Sequence, residues 1–347
     1  MSTITENSVV DKVKIPIEIS KRGNDFYVVS LITSRTYFRD PFFIDSLAKI
    51  LPDVKSQIKL PEEDELLARP VHFDENDQRI VFTSLEEFIR QNINISLDNK
   101  LGFIFHMSRC GSTLVSQMLA ANSRFFVLSE PTIVNAILDP ALDISPDLRK
   151  HLLEAAVKSL AACMPLGSEL MFIKFRSWNV LFLETILRSF PRIPWIFVHR
   201  QGIEVLQSVL QKPPGWLRSK RRYASYFSQI LAIPQSRIEQ MDQEEYVVRL
   251  LAAFCDMAYK HLSSRSVFLE YPDIKSNLVT ILEKLWHIKL NEDEIDGIHR
   301  TTRIYSKDTG KSIEFKSDSE TKRSIATSKQ IKLVEEFIEP IRVKLKS

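Results

Sequence analysis

The chain has 347 residues, 44% apolar and 26% charged, a balance that supports a sizeable core and excludes global disorder; at roughly 150 residues per domain about two domains are expected. Lys and Arg number 47 against 44 Asp and Glu, leaving a net charge of +3, which argues against a nucleic-acid binder working through bulk charge. Three cysteines, Cys110, Cys163 and Cys255, suggest no disulfide framework and a reducing, cytoplasmic setting, no apolar run reaches the ~20 residues of a membrane span, and the polar start with Glu6 and Asp11 does not read as a signal peptide.

Residues 1–100 read as a small α+β appendage. Alternation over 13–20 and 25–32, with a Lys-Arg-Gly-Asn turn between, predicts a hairpin. Helical spacing follows at 42–51, then a short strand at 79–84 and a helix at 84–92 opening on a capping box of Ser84 and Glu87. The charged stretch 61–70 reads as solvated surface, and no cluster of chemical residues occurs in this region.

From residue 101 the pattern changes. Strand-length apolar runs at 101–107, 124–129, 169–175, 193–200 and 266–271 alternate with helical patterns at 114–122, 147–164, 180–190, 202–211, 246–262 and 274–286. Such alternation predicts an α/β domain over 101–290, a three-layer arrangement with a central parallel sheet flanked by helices. A polar, basic-rich loop at 301–324 and a closing helix at 326–341 make up the rest, 291–347.

The sharpest local signal is strand, Ser-Arg-Cys-Gly-Ser-Thr, helix at 101–122. Gly111 permits a tight turn, and the free N–H groups of a first helical turn suit a phosphate. Ser112 and Thr113 add hydroxyls and Arg109 a charged fork. The loop lacks the lysine of the GxxxxGK[ST] form, so an ATPase or kinase is a poor match, and a plain strand–helix turn is the bland alternative. Cys110, at a helix N-terminus beside Arg109, is expected to have a lowered pKa; in phosphatase-like loops, however, the arginine follows the cysteine, which disfavours a nucleophilic role. Arg200 just after a strand and Ser208 two turns into the next helix can clamp one phosphate from two sides; alone, each also reads as an ordinary surface arginine and helix serine.

Together these segments resemble the P-loop sulfotransferase superfamily, over about residues 101–290. Ser108–Leu114 is similar to its 5′-phosphosulfate loop, and Arg200 with Ser208 to its 3′-phosphate motif, at the family's eight-residue separation. Ser129-Glu130-Pro131 resembles the element that carries the catalytic base of the glutamate branches, such as the tyrosylprotein one, and Phe172–Arg176 the strand-end lysine element, which makes Lys174 the sulfate contact. Phe268–Ile274 is similar to a late tyrosine–acidic stretch. The resemblance implies 3′-phosphoadenosine 5′-phosphosulfate as donor, with Arg109, Cys110, Gly111, Ser112, Thr113, Arg200 and Ser208 binding it. The catalytic residues it implies are Glu130, Lys174 and Arg109, with no divalent metal. The acceptor is a small molecule, a carbohydrate or a peptide. The late glycine-rich element of the aryl and steroid branch is missing; Lys307, Lys311 and the basic run 321–323 are candidates to close over the nucleotide, against a plain solvated loop. His106 and His199 read as structural or pocket-lining, with His199 the reserve base. A P-loop kinase-like transferase using ATP, or a non-catalytic nucleotide-binding module, remains the rival reading.

Overall fold

The computed structural model describes residues 11–57, 73–74, 76–97, 101–218, 220–303, 307 and 318–345. β1 (Lys12–Arg22) and β2 (Asp25–Ser34) form an antiparallel hairpin turning at Gly23, and β3 (Ile80–Ser84) pairs with β2 to complete a three-stranded sheet. The β1–β2 register shifts between Pro16 and Glu18, as expected where a proline supplies no N–H to the ladder. Ser84 caps the helix Leu85–Asn92 by accepting from the Glu87 N–H. The Glu87 carboxylate, however, turns to Gln91 and Arg90 rather than back to the cap, so only half of the expected capping box forms. The acidic stretch 61–70 lies outside the described residues.

The second sheet is parallel throughout: β4 (Leu101–His106), β5 (Phe125–Ser129), β6 (Leu170–Lys174), β7 (Trp195–His199) and β8 (Ser266–Glu270), in the order β5-β6-β4-β7-β8. Every residue of β4 to β7 is buried, which explains why these strands read as continuous apolar runs rather than as alternation. Phenylalanines fill much of the space between sheet and helices; Phe105 stacks on Phe175 at 4.5 Å and meets Trp195 edge-on at 5.8 Å. β4 lies in the middle, with the chain stepping outward on both sides of it. In open α/β sheets, that reversal opens a crevice at the carboxyl ends of the strands.

Two expected helices differ, and one helix forms where none was expected. Residues 180–190 divide into a 3₁₀ turn (Ser177–Phe182) and an α-helix (Leu183–Ser189), because the Asn179 side chain accepts from the Arg176 N–H and tightens the first turn. The closing helix breaks at Ile338 into Ser328–Phe337 and Glu339–Lys344, with Pro340 in the first turn of the second, where proline is tolerated. The polar stretch after 290 contains a helix, Glu292–Arg300, with a full capping box from Asn291 and Glu294. The C-terminal helices are tied to the sheet layer by Gln207–Gln330 (2.6 Å), Gly202 N–H to Glu339 (3.0 Å) and Arg342–Glu270 (2.6 Å). No described helix is long and apolar enough to cross a membrane.

Candidate active site

A cavity of about 550 Å³ opens at the carboxyl ends of the parallel strands, within the roughly 300–1,000 Å³ usual for small-molecule sites. Each strand delivers a residue to it: the Ser108–Gly111 loop after β4, Glu130 after β5, Lys174 at the end of β6, Arg200 after β7 and Tyr271 after β8. Among the described residues seven Lys and Arg side chains border it, against two carboxylates, Glu130 and Asp318. Such an excess of positive charge in a concave site concentrates an anion there.

The loop after β4 is built for close approach. Ser108, Arg109 and Gly111 have φ of 78°, 48° and 93°, left-handed values that cost a non-glycine residue roughly 1–2 kcal/mol. At Gly111 a Cβ would also lie 2.5 Å from the Tyr271 ring and 2.9 Å from Ile274, so only glycine fits. His106 holds the loop in place: the Ser108 N–H donates to its Nδ1 at 3.1 Å, and its Nε2 lies 3.0 Å from the Phe175 carbonyl. With Nδ1 accepting, Nε2 must carry the proton, so the ring is neutral; burial, then Lys174, pushes its pKa down to about 3. Both ring nitrogens are thus occupied, and His106 is a strut rather than a base. The first intrahelical bond of Ser112–Ala120 runs from Val115 to Gly111. The N–H groups before it belong to Ser112, Thr113 and Leu114, all of which line the cavity. Arg109 donates to the Lys212 carbonyl, which joins the loop to the end of the helix Gly202–Gln211.

Cys110 departs from its expected character. Its Sγ donates to the Val198 carbonyl at 3.0 Å, it is fully buried, and burial pushes its pKa up to about 12. The neighbouring helix end and Arg109 do not overcome that desolvation, so the thiol is inert and only its main chain can serve a ligand.

Glu130 and Lys174 meet across adjacent strand ends. Lys174, 1% exposed, donates from Nζ to Glu130 Oε1 at 2.7 Å. Arg176 Nε lies 3.7 Å from Oε2. Glu130 itself takes φ 60° and donates its N–H to the Lys174 carbonyl at 2.6 Å. Burial raises the Glu130 pKa, but Lys174 and Arg176 together outweigh it and hold the carboxyl below its usual range. It is therefore ionised at neutral pH, with Oε2 outside hydrogen-bond range of Arg176.

Arg200 and Ser208 both line the cavity, but Arg200 is heavily engaged. Its Nε donates to Glu204 at 2.5 Å, its Nη2 to Ser319 Oγ at 2.8 Å and to Asp318 at 3.3 Å, and its guanidinium lies 4.3 Å from the Tyr271 ring centre. Asp318 in turn binds Lys322 at 2.6 Å. Lys307 borders the cavity, and burial, then Arg109 and Lys174, lowers its pKa to about 8. Lys311 lies outside the described residues. Sequence reasoning missed Phe42, Trp178, Lys212 and Asp318, which line the same cavity. Phe42 sits in a region with no chemical cluster, and Asp318 carries no local signal at all.

No family model and no curated protein matches the chain. Among solved structures it is similar to sulfotransferase STF9 from Mycobacterium avium, at 12% identity over 62% of this chain and 71% of that one, with a TM-score of 0.38. It is also similar to retinol dehydratase in a complex with retinol and PAP, at 14% identity over 76% and 86%, TM-score 0.35. A third is the sulfotransferase domain of the Synechococcus PCC 7002 olefin synthase, at 13% identity over 68% and 94%, TM-score 0.37.

Proposed function

We propose that the chain is a sulfotransferase that moves a sulfuryl group from 3′-phosphoadenosine 5′-phosphosulfate to an acceptor hydroxyl or amine. The observation that carries this reading is the Lys174–Glu130 pair, 2.7 Å apart, in one cavity with the glycine-turned loop after β4. A phosphate loop alone suits many nucleotides. A buried lysine bound to an ionised carboxylate beside it suits an anionic group transferred to a nucleophile that must lose a proton.

The residues present fit such a donor: a loop that tolerates no Cβ at Gly111, first-turn N–H groups, and a cationic border. Ser112 and Thr113 hold the 5′-phosphate side, and Arg200, Ser208 and Lys322 the 3′ phosphate. The donor supplies the activated sulfuryl group. Glu130 Oε2 takes the proton of the acceptor hydroxyl as the new oxygen–sulfur bond forms. The bridging sulfur–oxygen bond breaks, and its electron pair leaves with the 5′ phosphate. Lys174 and Arg109 face the charge that develops on that bridging oxygen. Glu130 is the base in this reading: both His106 nitrogens are engaged, burial keeps the Cys110 thiol protonated, and His199, the reserve base of the sequence reading, is not among the residues that line the cavity.

The test is calorimetric titration with 3′-phosphoadenosine 5′-phosphate, AMP and ATP. Preference for the 3′,5′-bisphosphate by tenfold or more is expected. Equal affinity for AMP, or preference for ATP, overturns the donor assignment.

A further inference from the structure

We infer that the N-terminal sheet and the helix that follows it are a working part of the site: they hold the Lys174–Glu130 pair in place, with Thr132 and Phe42 as positioning residues. What this means for catalysis rests on the sulfuryl-transfer reading; the contacts themselves do not.

The connection begins at a proline. Pro16 supplies no N–H to the β1–β2 ladder, and the register slips there: Pro16 faces Ser30 and Glu18 faces Val29, while Ile17 has no partner in β2. The Ile17 carbonyl instead accepts from the hydroxyl of Thr132, which is buried. Thr132 lies two residues after Glu130 and opens the helix Thr132–Ile137. The N-terminal sheet therefore grips the very turn in which Glu130 takes φ 60°. Two further anchors of that turn come from the parallel-sheet layer, the Glu130 N–H to the Lys174 carbonyl at 2.6 Å and Asn135 Nδ2 to the Glu130 carbonyl at 3.2 Å. A left-handed residue keeps its conformation only while its flanks are pinned. Its strain and the net worth of one hydrogen bond are of the same order, so loss of the Thr132 anchor is enough to loosen the turn and let the carboxylate swing off Lys174.

The same region reaches the cation of the pair. Phe42, half-buried and immediately before the helix Phe43–Ile50, has its ring centre 5.0 Å from Lys174 Nζ. An aromatic face attracts an ammonium and shields it from water, which keeps Nζ turned to Glu130. Glu18, beside the register shift, makes a third connection. Its charged neighbours are Asp139 and Arg176, and Arg176 Nε stands 3.7 Å from Glu130 Oε2. Burial raises the Glu18 pKa to about 8, so at neutral pH Glu18 is protonated and leaves Arg176 to Glu130. Tyr37 to the Ser123 carbonyl (3.0 Å) and Arg35 to the Met164 carbonyl (2.8 Å) fasten the region to the parallel-sheet layer.

The experiment uses the full, unliganded chain carrying glutamate labelled with carbon-13 at the carboxyl. The Glu130 signal is identified by its loss in Glu130→Gln and followed by NMR against pH. The titratable and charged groups that face Glu130 are Lys174, Arg176 and His106, and none of them is altered in the variants. The wild-type carboxyl is expected to titrate below the usual glutamate range. Thr132→Val keeps the shape and removes the hydroxyl; it should move that titration up by roughly one pH unit, because burial is then less well opposed. Thr132→Ser, which keeps the hydroxyl, should restore the wild-type value. Affinity for 3′-phosphoadenosine 5′-phosphate should stay within twofold in both, and near-ultraviolet circular dichroism checks that each is folded. An unmoved Glu130 titration in folded Thr132→Val overturns the inference, as does an equal shift in Thr132→Ser. If Thr132→Val does not fold, Phe42→Leu decides by the same measure: an upward shift upholds the inference and an unmoved titration overturns it. The sulfuryl-transfer reading fails separately, by a chain that binds the bisphosphate with no preference over AMP, and that result leaves the Glu130 titration untouched.

Discussion

If Arg200 and Lys322 hold the 3′ phosphate as proposed, Asp318 occupies its place, and replacing Asp318 should tighten the nucleotide while loosening the fold. Its carboxylate binds Lys322 at 2.6 Å through one oxygen and Arg200 at 3.3 Å through the other. Burial raises its pKa, but the Lys322 hydrogen bond and Arg200 outweigh that, so it is ionised at neutral pH. The side chain is 57% exposed, so each pair is of the solvent-screened kind, about 0.2–1 kcal/mol. A 3′ phosphate on Arg200 and Lys322 must first displace both contacts, at a cost of roughly 0.5–2 kcal/mol. Asp318→Asn keeps the shape and removes the charge. The 3′,5′-bisphosphate should then bind about 2- to 30-fold tighter by titration, AMP should be unchanged, and the melting temperature of the unliganded protein should fall slightly. Raising the salt should narrow the difference. Weaker bisphosphate binding, or an equal gain for AMP, would refute the reasoning, because either result separates Asp318 from the 3′-phosphate position.

Three further outcomes are expected. Glu130→Gln keeps an acceptor for Lys174 but removes the base, so turnover should drop by ~10²-fold or more with bisphosphate affinity nearly intact; near-normal turnover would exclude Glu130 as the base. Lys307 loses its proton near pH 8, so in the unliganded protein its charge is lost as pH rises through that value; bisphosphate affinity should weaken from pH 7 to 9, and Lys307→Met should flatten that limb. Glu18 is buried in β1 with its pKa raised to about 8, burial being the main cause. The folded chain therefore holds a proton that the unfolded chain releases near 4.5, and the stability this confers is full below that value and lost as pH rises towards 8. Glu18→Gln should remove that slope, read from urea unfolding at pH 5 and pH 8.

Much of this molecule is legible in the sequence for one physical reason: parallel strands buried on both faces are apolar throughout, so their ends are sharp. Chemistry-bearing residues at or just past those ends, Arg109, Glu130, Lys174 and Arg200, stand out against the runs that precede them. What could not be read depends on distance along the chain. Asp318 meets Arg200 across 118 residues, and no pattern near either one announces it. The Cys110 thiol misleads for a related reason: the loop motif suggests a cationic helix end, whereas the β4–β7 pairing presses the sulfur against the Val198 carbonyl and out of solvent. Phe42 reads as the start of an amphipathic helix, and only the docking of the hairpin region turns it towards Lys174.

The Lys174–Glu130 pair shows how sheet order makes chemistry from residues that the sequence keeps apart. Consecutive strands usually lie side by side, and β5 and β6, which carry Glu130 and Lys174 at their ends, do so here. Their parallel pairing sets Ser129 opposite Lys174 in register, and the Glu130 N–H closes on the Lys174 carbonyl at 2.6 Å. The main chain sets the two Cα positions before any side-chain attraction acts. The left-handed φ of Glu130 then swings its carboxylate over the end of β6 rather than onward along its own strand. A proton acceptor and a buried cation are thereby fixed 2.7 Å apart by backbone register and one strained residue. The strain of that residue, roughly 1–2 kcal/mol, is offset by the ion pair and by the ladder bond it makes. An insertion of one residue between Ser129 and Glu130 would leave the strands intact and still separate the pair, which is why the site depends more on register than on composition.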